Sequence, residues 1–167
     1  MSVKVTVAII AYYYPEFLKE CITSVLAQTY RDIKVIVYDD CSPEDLKSVV
    51  DLFDDDRLSY VRNPINLGGC GNTNQAIELC DTEYICVFHG DDRMFPWMIE
   101  KLVGAMEANP GVGIVGPSRF YVLGSQIPNT PPKSSNGKLY KQNEYIRAMC
   151  QLGRFITGQP MLRKKIM

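Results

Sequence analysis

The first half of the chain alternates between two hydrophobic periods, and no other feature narrows the fold as far. "VKVTVAIIA" (3–11) is β-branched and apolar. Phe17, Leu18, Cys21, Ile22, Val25 and Leu26 then recur at helical spacing, and "IKVIVY" (33–38) returns to strand character. Strand, helix, strand is a βαβ unit, which lays its strands parallel in one sheet with helices on the faces. Ser42-Pro43-Glu44-Asp45 supplies an N-cap, a proline suited to the first helical position and two acids in the first turn, predicting a helix to about Phe53. "LSYVRN" (58–63) reads as a third strand, and after the loop "NPINLGGCGN" the stretch Thr73–Cys80 reads as helical. "YICVFH" (84–89) is the fourth strand, and Pro96–Glu107 is a helix stopped by Asn109-Pro110-Gly111. The expected fold is α/β: a mostly parallel twisted sheet with helices on both faces.

Past residue 111 the pattern weakens. "GIVGPSRFYVL" offers one or two strands, "GSQIPNTPPKSSNGK" (124–138) is a polar loop expected to be flexible, and Leu139–Leu152 reads as a helix with Gly153 as its C-cap. At 167 residues the chain fits one domain. Its 18 basic side chains nearly balance 19 acidic ones, without a long run of either sign. A face that tracks nucleic-acid phosphates is therefore not expected, and any bound anion must be held locally. Cys21, Cys41, Cys70, Cys80, Cys86 and Cys150 form no CxxC pair, and the reading is of reduced core residues in a cytoplasmic chain. No apolar run reaches the about 18 residues of a membrane span. Peripheral contact with the inner face of a membrane is left open for the full-length protein.

In a parallel sheet every strand delivers its carboxyl end to one edge, where ligands bind. Three strand ends here carry polar or aromatic groups: Ala11-Tyr12-Tyr13-Tyr14, Asp39-Asp40 and His89-Gly90-Asp91-Asp92. Asp91 and Asp92 alone could merely cap the following segment. With Asp39-Asp40 on the same edge, carboxylates would repel one another unless a cation or hydrogen-bond donors fill the gap. A hard divalent ion, taking one or two carboxylates and a ligand's phosphate oxygens, would do so.

"VAIIAYYYPEFLKECITSVLAQTYRDIKVIVYDDCSPED", "NLGGCGNTNQAIELCDTEYICVFHGDD" and Pro96 resemble, in order and spacing, the donor-binding part of family 2 glycosyltransferases with the GT-A fold. The resemblance covers roughly residues 3–107 and rests on five short motifs in order: the aromatic turn, "QTY", Asp-Asp-x-Ser, Asn-x-Gly and a DxD-type end to the fourth strand. It implies that residues 1–111 form a nucleotide-sugar-binding half, with 112–167 a partial acceptor-side region of the same domain. It also implies that Asp39 accepts the N–H of the nucleotide base, that Ala11 and Tyr13 contact base and ribose, and that Asp91 ligates Mn²⁺ or Mg²⁺ bridging to the diphosphate. Gly90 would belong to the nucleotide-sugar-binding residues, and Asp92 would flank the sugar or the metal's water shell. The chain departs from the pattern at His89, which stands for the first acid of DxD, and is either a ligand to the donor or a neutral strand-end residue. Thr73 replaces a frequent arginine, and Tyr14 the usual asparagine.

The activity implied is metal-dependent, inverting transfer of a sugar from a nucleoside-diphosphate donor, with UDP the expected nucleotide, to a hydroxyl on a glycan, a lipid-linked sugar or another acceptor. Such transfer needs a general base. Glu100 and Glu107 lie on the helix after the DxD motif and Glu144 on the late helix, and none has the family's placement for it. The base is therefore expected beyond Met167, the chain reading as truncated on its acceptor side. The alternative is that Glu144, or a carboxylate of the partner in a homodimer, serves instead. A nucleotide-binding module without transfer activity is the other class. "AYYYPEF" has neither the glycine nor the lysine of a nucleotidyltransferase phosphate loop, nor the GxGxxG of a dinucleotide-binding dehydrogenase.

Overall fold

The computed structural model describes residues 3–116 and 160–164. The expected loop 124–138, the helix Leu139–Leu152, Gly153, Glu144 and Cys150 lie outside them. In chain order the elements are β1 (Val5–Ala11), α1 (Pro15–Leu26), β2 (Ile33–Asp39), α2 (Leu46–Val50), β3 (Leu58–Arg62), α3 (Gly68–Leu79), β4 (Tyr84–His89), α4 (Met98–Ala108), β5 (Ile114–Val115) and β6 (Met161–Arg163).

The sheet has six strands in the order β3-β2-β1-β4-β6-β5. β1 to β4 are parallel, as the βαβ reading requires, and β6 runs antiparallel to both β4 and β5. The register places Ala11 beside Asp39 and Asp39 beside Arg62, while Ile10 sits beside His89. Three strands thus end level with one another, which is what builds a site there.

Each face of the sheet is covered. Val7, Ile9, Val35, Val37, Cys86 and Phe88 pack against Leu18, Cys21, Ile22 and Val25 of α1, Leu46 of α2, and Ile99, Leu102 and Met106 of α4. On the opposite face Ala8, Ile10, Tyr38, Ile85 and Val87 meet Ala76 and Cys80 from the α3 region and Leu162 of β6. Alternation of strand side chains feeds both clusters, so every central strand reads as continuously apolar.

Two helices differ from the sequence expectation. α2 spans only Leu46–Val50, beginning late because Asp45, not Ser42, is its N-cap, its carboxylate accepting from Ser48 N at 3.1 Å. α3 begins five residues early, at Gly68, inside the stretch expected to be a loop. Glycine is tolerated there for local reasons: Gly68 has φ +71°, and a Cβ on Gly71 would sit 2.8 Å from Leu67 Cβ. Glycine content mimics a loop where it in fact permits a tight helix start.

Gln28, buried at the end of α1, fastens the segment that follows β4. Its Nε2 donates to Phe95 O at 2.7 Å and Ser24 O at 3.2 Å, and its Oε1 accepts from Ile99 N at 3.0 Å. Thr29 N donates to Pro96 O at 2.7 Å, and Ser24 Oγ accepts from Met94 N at 2.9 Å. This is the structural use of the "QT" pair. At the other edge of the sheet, Tyr84 donates to Glu107 Oε1 at 2.9 Å and accepts from Arg163 Nη1 at 3.0 Å, while Lys4 pairs with Glu107 at 2.8 Å. Burial, then the bond to Glu107, pushes the Tyr84 hydroxyl up to about 12.

Gln28→Ala leaves the buried Ile99 N without its acceptor and removes one of the two donors to Phe95 O, Met98 N remaining at 3.0 Å, and is expected to cost ~1–3 kcal/mol of stability, read from denaturation midpoints at constant m. A loss under about 0.5 kcal/mol would contradict the role. Because Tyr84 holds its proton more tightly when folded, its contribution is complete below its ordinary value of 10.0 and is lost as pH rises through about 12. Thermal melts across that window should fall less steeply for Tyr84→Phe than for the wild type.

Candidate active site

The carboxyl edge is built from two crossovers pinned to each other. After Ala11 the chain leaves β1 through Tyr13 and Tyr14, both left-handed at φ 63° and 61°, before Pro15 opens α1. After β2, Cys41 is left-handed at φ 59°. Non-glycine residues hold such angles only when their surroundings enforce them. Here Tyr13 N donates to Ser42 Oγ at 3.2 Å and Tyr14 N to Glu44 Oε2 at 2.9 Å, so each turn holds the other. Gly90 closes the third side: its N–H donates to Ile10 O at 2.9 Å, and a Cβ there would lie 3.3 Å from that oxygen and 3.4 Å from Ala11 Cβ. A glycine is what lets the end of β4 lie this close to β1.

A cleft of about 410 Å³ opens between these elements. Of the residues expected at the site, Ala11, Tyr13, His89, Gly90 and Asp91 line it. Tyr12, Asp40, Asn66 and Asn72 line it as well and had not been singled out as site residues. Tyr12 and Tyr13 meet edge to face, ring centroids 4.2 Å apart, with Tyr12 42 % exposed at the cleft mouth.

Asp39 and Asp92 are not among the lining residues. Asp39 is wholly buried, its Oδ2 accepting from Tyr60 Oη and Arg62 Nη1, each at 2.5 Å, and its Oδ1 from Ser42 N at 2.8 Å. Burial, then the bond to Asp39, pushes the Tyr60 hydroxyl up to about 12. A carboxylate held by three internal donors joins β2 to β3. Its neighbour Asp40 is the one turned to the cleft: Oδ1 accepts from Leu67 N at 2.8 Å and Asn63 Nδ2 at 3.0 Å, and neither bond uses Oδ2. Adjacent residues of an extended segment point to opposite sides. The Asp-Asp pair signalled a site, and only the register shows which member faces it. Asp92 N donates to His89 O at 3.2 Å. Burial, then the charges of Asp92 and Asp91, push the Cys21 thiol well up from its ordinary value.

Among the described residues no three His, Cys, Asp or Glu side chains are grouped to hold a metal by themselves. The cleft instead offers Asp91, with Asp40 and His89 on the same lining. That donor set fits a hard divalent cation completed by phosphate oxygens and water, not an all-protein cage. Glu100 accepts from Thr29 Oγ1 at 2.8 Å, and Glu107 pairs with Lys4 just before β1, at the amino edge. Neither faces the cleft.

The chain matches the model of Glycosyl transferase family 2 over residues 6–167. It is 25 % identical over 141 residues to the Escherichia coli UDP-Glc:alpha-D-GlcNAc-diphosphoundecaprenol beta-1,3-glucosyltransferase WfaP, covering 82 % of this chain and 55 % of that protein. It is 31 % identical over 111 residues to the Campylobacter jejuni GalNAc(5)-diNAcBac-PP-undecaprenol beta-1,3-glucosyltransferase, covering 65 % and 35 %. The chain thus spans about half or less of the length of these relatives. Among solved structures, S. aureus TarS 1-349 superposes with TM-score 0.76 at 18 % identity, covering 98 % of this chain and 48 % of that one. The Pyrobaculum calidifontis mannosyltransferase PcManGT, in complex with GDP-Man and Mn²⁺, superposes with TM-score 0.63 at 22 % identity, covering 70 % and 36 %. Those likenesses make the fold GT-A, and the family match extends over nearly the whole chain: the protein belongs to glycosyl transferase family 2.

Proposed function

We propose that the cleft binds a nucleoside-diphosphate sugar, with UDP as the nucleotide, and that the protein transfers the sugar to an acceptor hydroxyl with inversion at the anomeric carbon. The observation that carries this is the meeting of Asp40, from the end of β2, and Asp91, after β4, on one cleft with an aromatic wall. Asp40 takes the base-reading role, a carboxylate oxygen being a strong acceptor for a ring N–H. Tyr12 and Tyr13 present faces for the base and ribose. His89 contacts the donor in place of an acid, and Asp92 flanks the sugar. The family match supports the transferase reading, and TarS has been solved in complex with UDP-GlcNAc and with UDP.

Asp91, with His89 beside it, would hold Mn²⁺ or Mg²⁺ against the diphosphate. When bound, the cation offsets charge building on the leaving phosphate. The acceptor oxygen forms its bond to the anomeric carbon as the bond to the diphosphate breaks, and the hydroxyl proton passes to a general base. With Glu100 and Glu107 engaged elsewhere, that base is assigned beyond the described residues, on the acceptor side of the protein. A glycan or lipid-linked hydroxyl is the proposed acceptor, matching the diphosphoundecaprenol in the names of both relatives. Delivery of such an acceptor would bring the protein to a membrane surface. Among the described residues no helix is long and apolar enough to cross one.

UDP at a hundredfold excess over Kd should stabilise the protein by about 2.7 kcal/mol in Mn²⁺. The thermal shift should shrink in EDTA and lose its metal dependence in Asp91→Asn; an equal shift with and without metal would refute the site. The two adjacent acids should separate cleanly. Asp39→Ala leaves the Tyr60 hydroxyl and the buried Ser42 N without their acceptor and is expected to cost ~1–3 kcal/mol of stability. Asp40→Asn, which keeps an oxygen for Leu67 N and Asn63 Nδ2, should leave the melting temperature within a few degrees while UDP affinity falls at least about tenfold. Comparable melting and binding losses in both variants would contradict the division.

A further inference from the structure

Beneath the cleft lies a chain of buried amides whose direction is fixed. Asn72 of α3 donates from Nδ2 to Tyr38 O at 2.8 Å, so its Oδ1 faces away and accepts from Asn63 Nδ2 at 3.2 Å. The same Asn63 nitrogen donates to Asp40 Oδ1 at 3.0 Å. Asn63 cannot be turned round, because both of its partners are acceptors. Its own Oδ1 is buried without a partner, which is costly and therefore informative: the side chain is held in the orientation that serves two acceptors rather than satisfying itself. Asn72 is 0 % and Asn63 2 % exposed, so water does not compete for these bonds. Asn63 N also donates to Asp39 O at 2.8 Å, tying the relay to the strand end that carries Asp40.

With Leu67 N as second donor, Asp40 Oδ1 is fully engaged and its Oδ2 is the oxygen left for a ligand in the cleft. We propose that Asn63 and Asn72 are positioning residues that hold Asp40 as a fixed acceptor and so set which base the cleft takes. A base presenting a ring N–H, as uracil and guanine do, is accepted. Cytosine, whose corresponding ring nitrogen is itself an acceptor, is repelled by the same oxygen. The inference rests on the donor-site reading above and adds what makes that site selective.

Isothermal titration of UDP and of CDP, each with Mn²⁺, tests it on the wild type, Asn63→Ala, Asn72→Ala and Asp40→Asn. The wild type should bind UDP at least about tenfold more tightly than CDP, and Asp40→Asn should abolish the preference. Asn63→Ala and Asn72→Ala should reduce it to about threefold or less with CDP affinity unchanged, since the diphosphate and metal contacts remain. Mere structural damage lowers both ligands together and leaves the ratio intact. A folded Asn63→Ala or Asn72→Ala with the wild-type ratio overturns the relay. A wild type without preference for UDP overturns the base-reading role of Asp40 as well, and one that binds neither nucleotide overturns the donor site itself. Asn72→Ala breaks the link farther from Asp40 and decides the question if Asn63→Ala does not fold.

Discussion

Everything at the carboxyl edge depends on the parallel register of β1 with its two neighbours. Pairing Ala11 with Asp39 and Ile10 with His89 makes three strands end level. A shift by one residue would turn the apolar side chains of β1 to the wrong faces. Both faces of β1 are buried, so such a shift would disrupt two packed clusters at once. The geometry of the site is thus enforced by the hydrophobic core, not by the polar groups of the site. The polar groups refine it: Ser42 and Glu44 restrain the tyrosine turn, and Asn63 restrains Asp40.

Buried polarity is distributed by task. Asp39 spends its acceptors within the protein, on Tyr60, Arg62 and Ser42, and locks β2 to β3. Asp40, next in sequence, keeps one oxygen for the cleft. Two acids of identical chemistry come to lie one in the interior and one on the cleft from nothing more than the side of the chain each leaves.

The α/β fold was legible because its signal is periodic and long: apolar strands alternate with helical spacing over the whole first half. The edge that carries the site was legible for the same reason, since parallel strands share a direction. Within that edge legibility stops at single residues. Asp39 and Asp40 differ only in a half-period of the strand, and the sequence pattern around them is apolar on both sides. Asn72 could not be recognised because it stands within a glycine-rich stretch that looks like a loop, and its partner Asn63 because nothing in "RNPIN" distinguishes a buried amide from a turn asparagine. Their role depends on β2, β3 and α3 converging, which is tertiary information. The start of α3 was obscured for a local reason: Gly68 is there for its positive φ and Gly71 for clearance from Leu67.

The fastening of the segment after β4 bears on how the cleft can move. Gly90 is tied to β1 through Ile10 O, and Met94 is tied to α1 through Ser24 Oγ, so the backbone carrying Asp91 is a tether of a few residues between two fixed points. A tether that short has no room to swing as a gate. Any change in the width of the cleft must then be carried by its other walls, while the Asp91 side stays fixed.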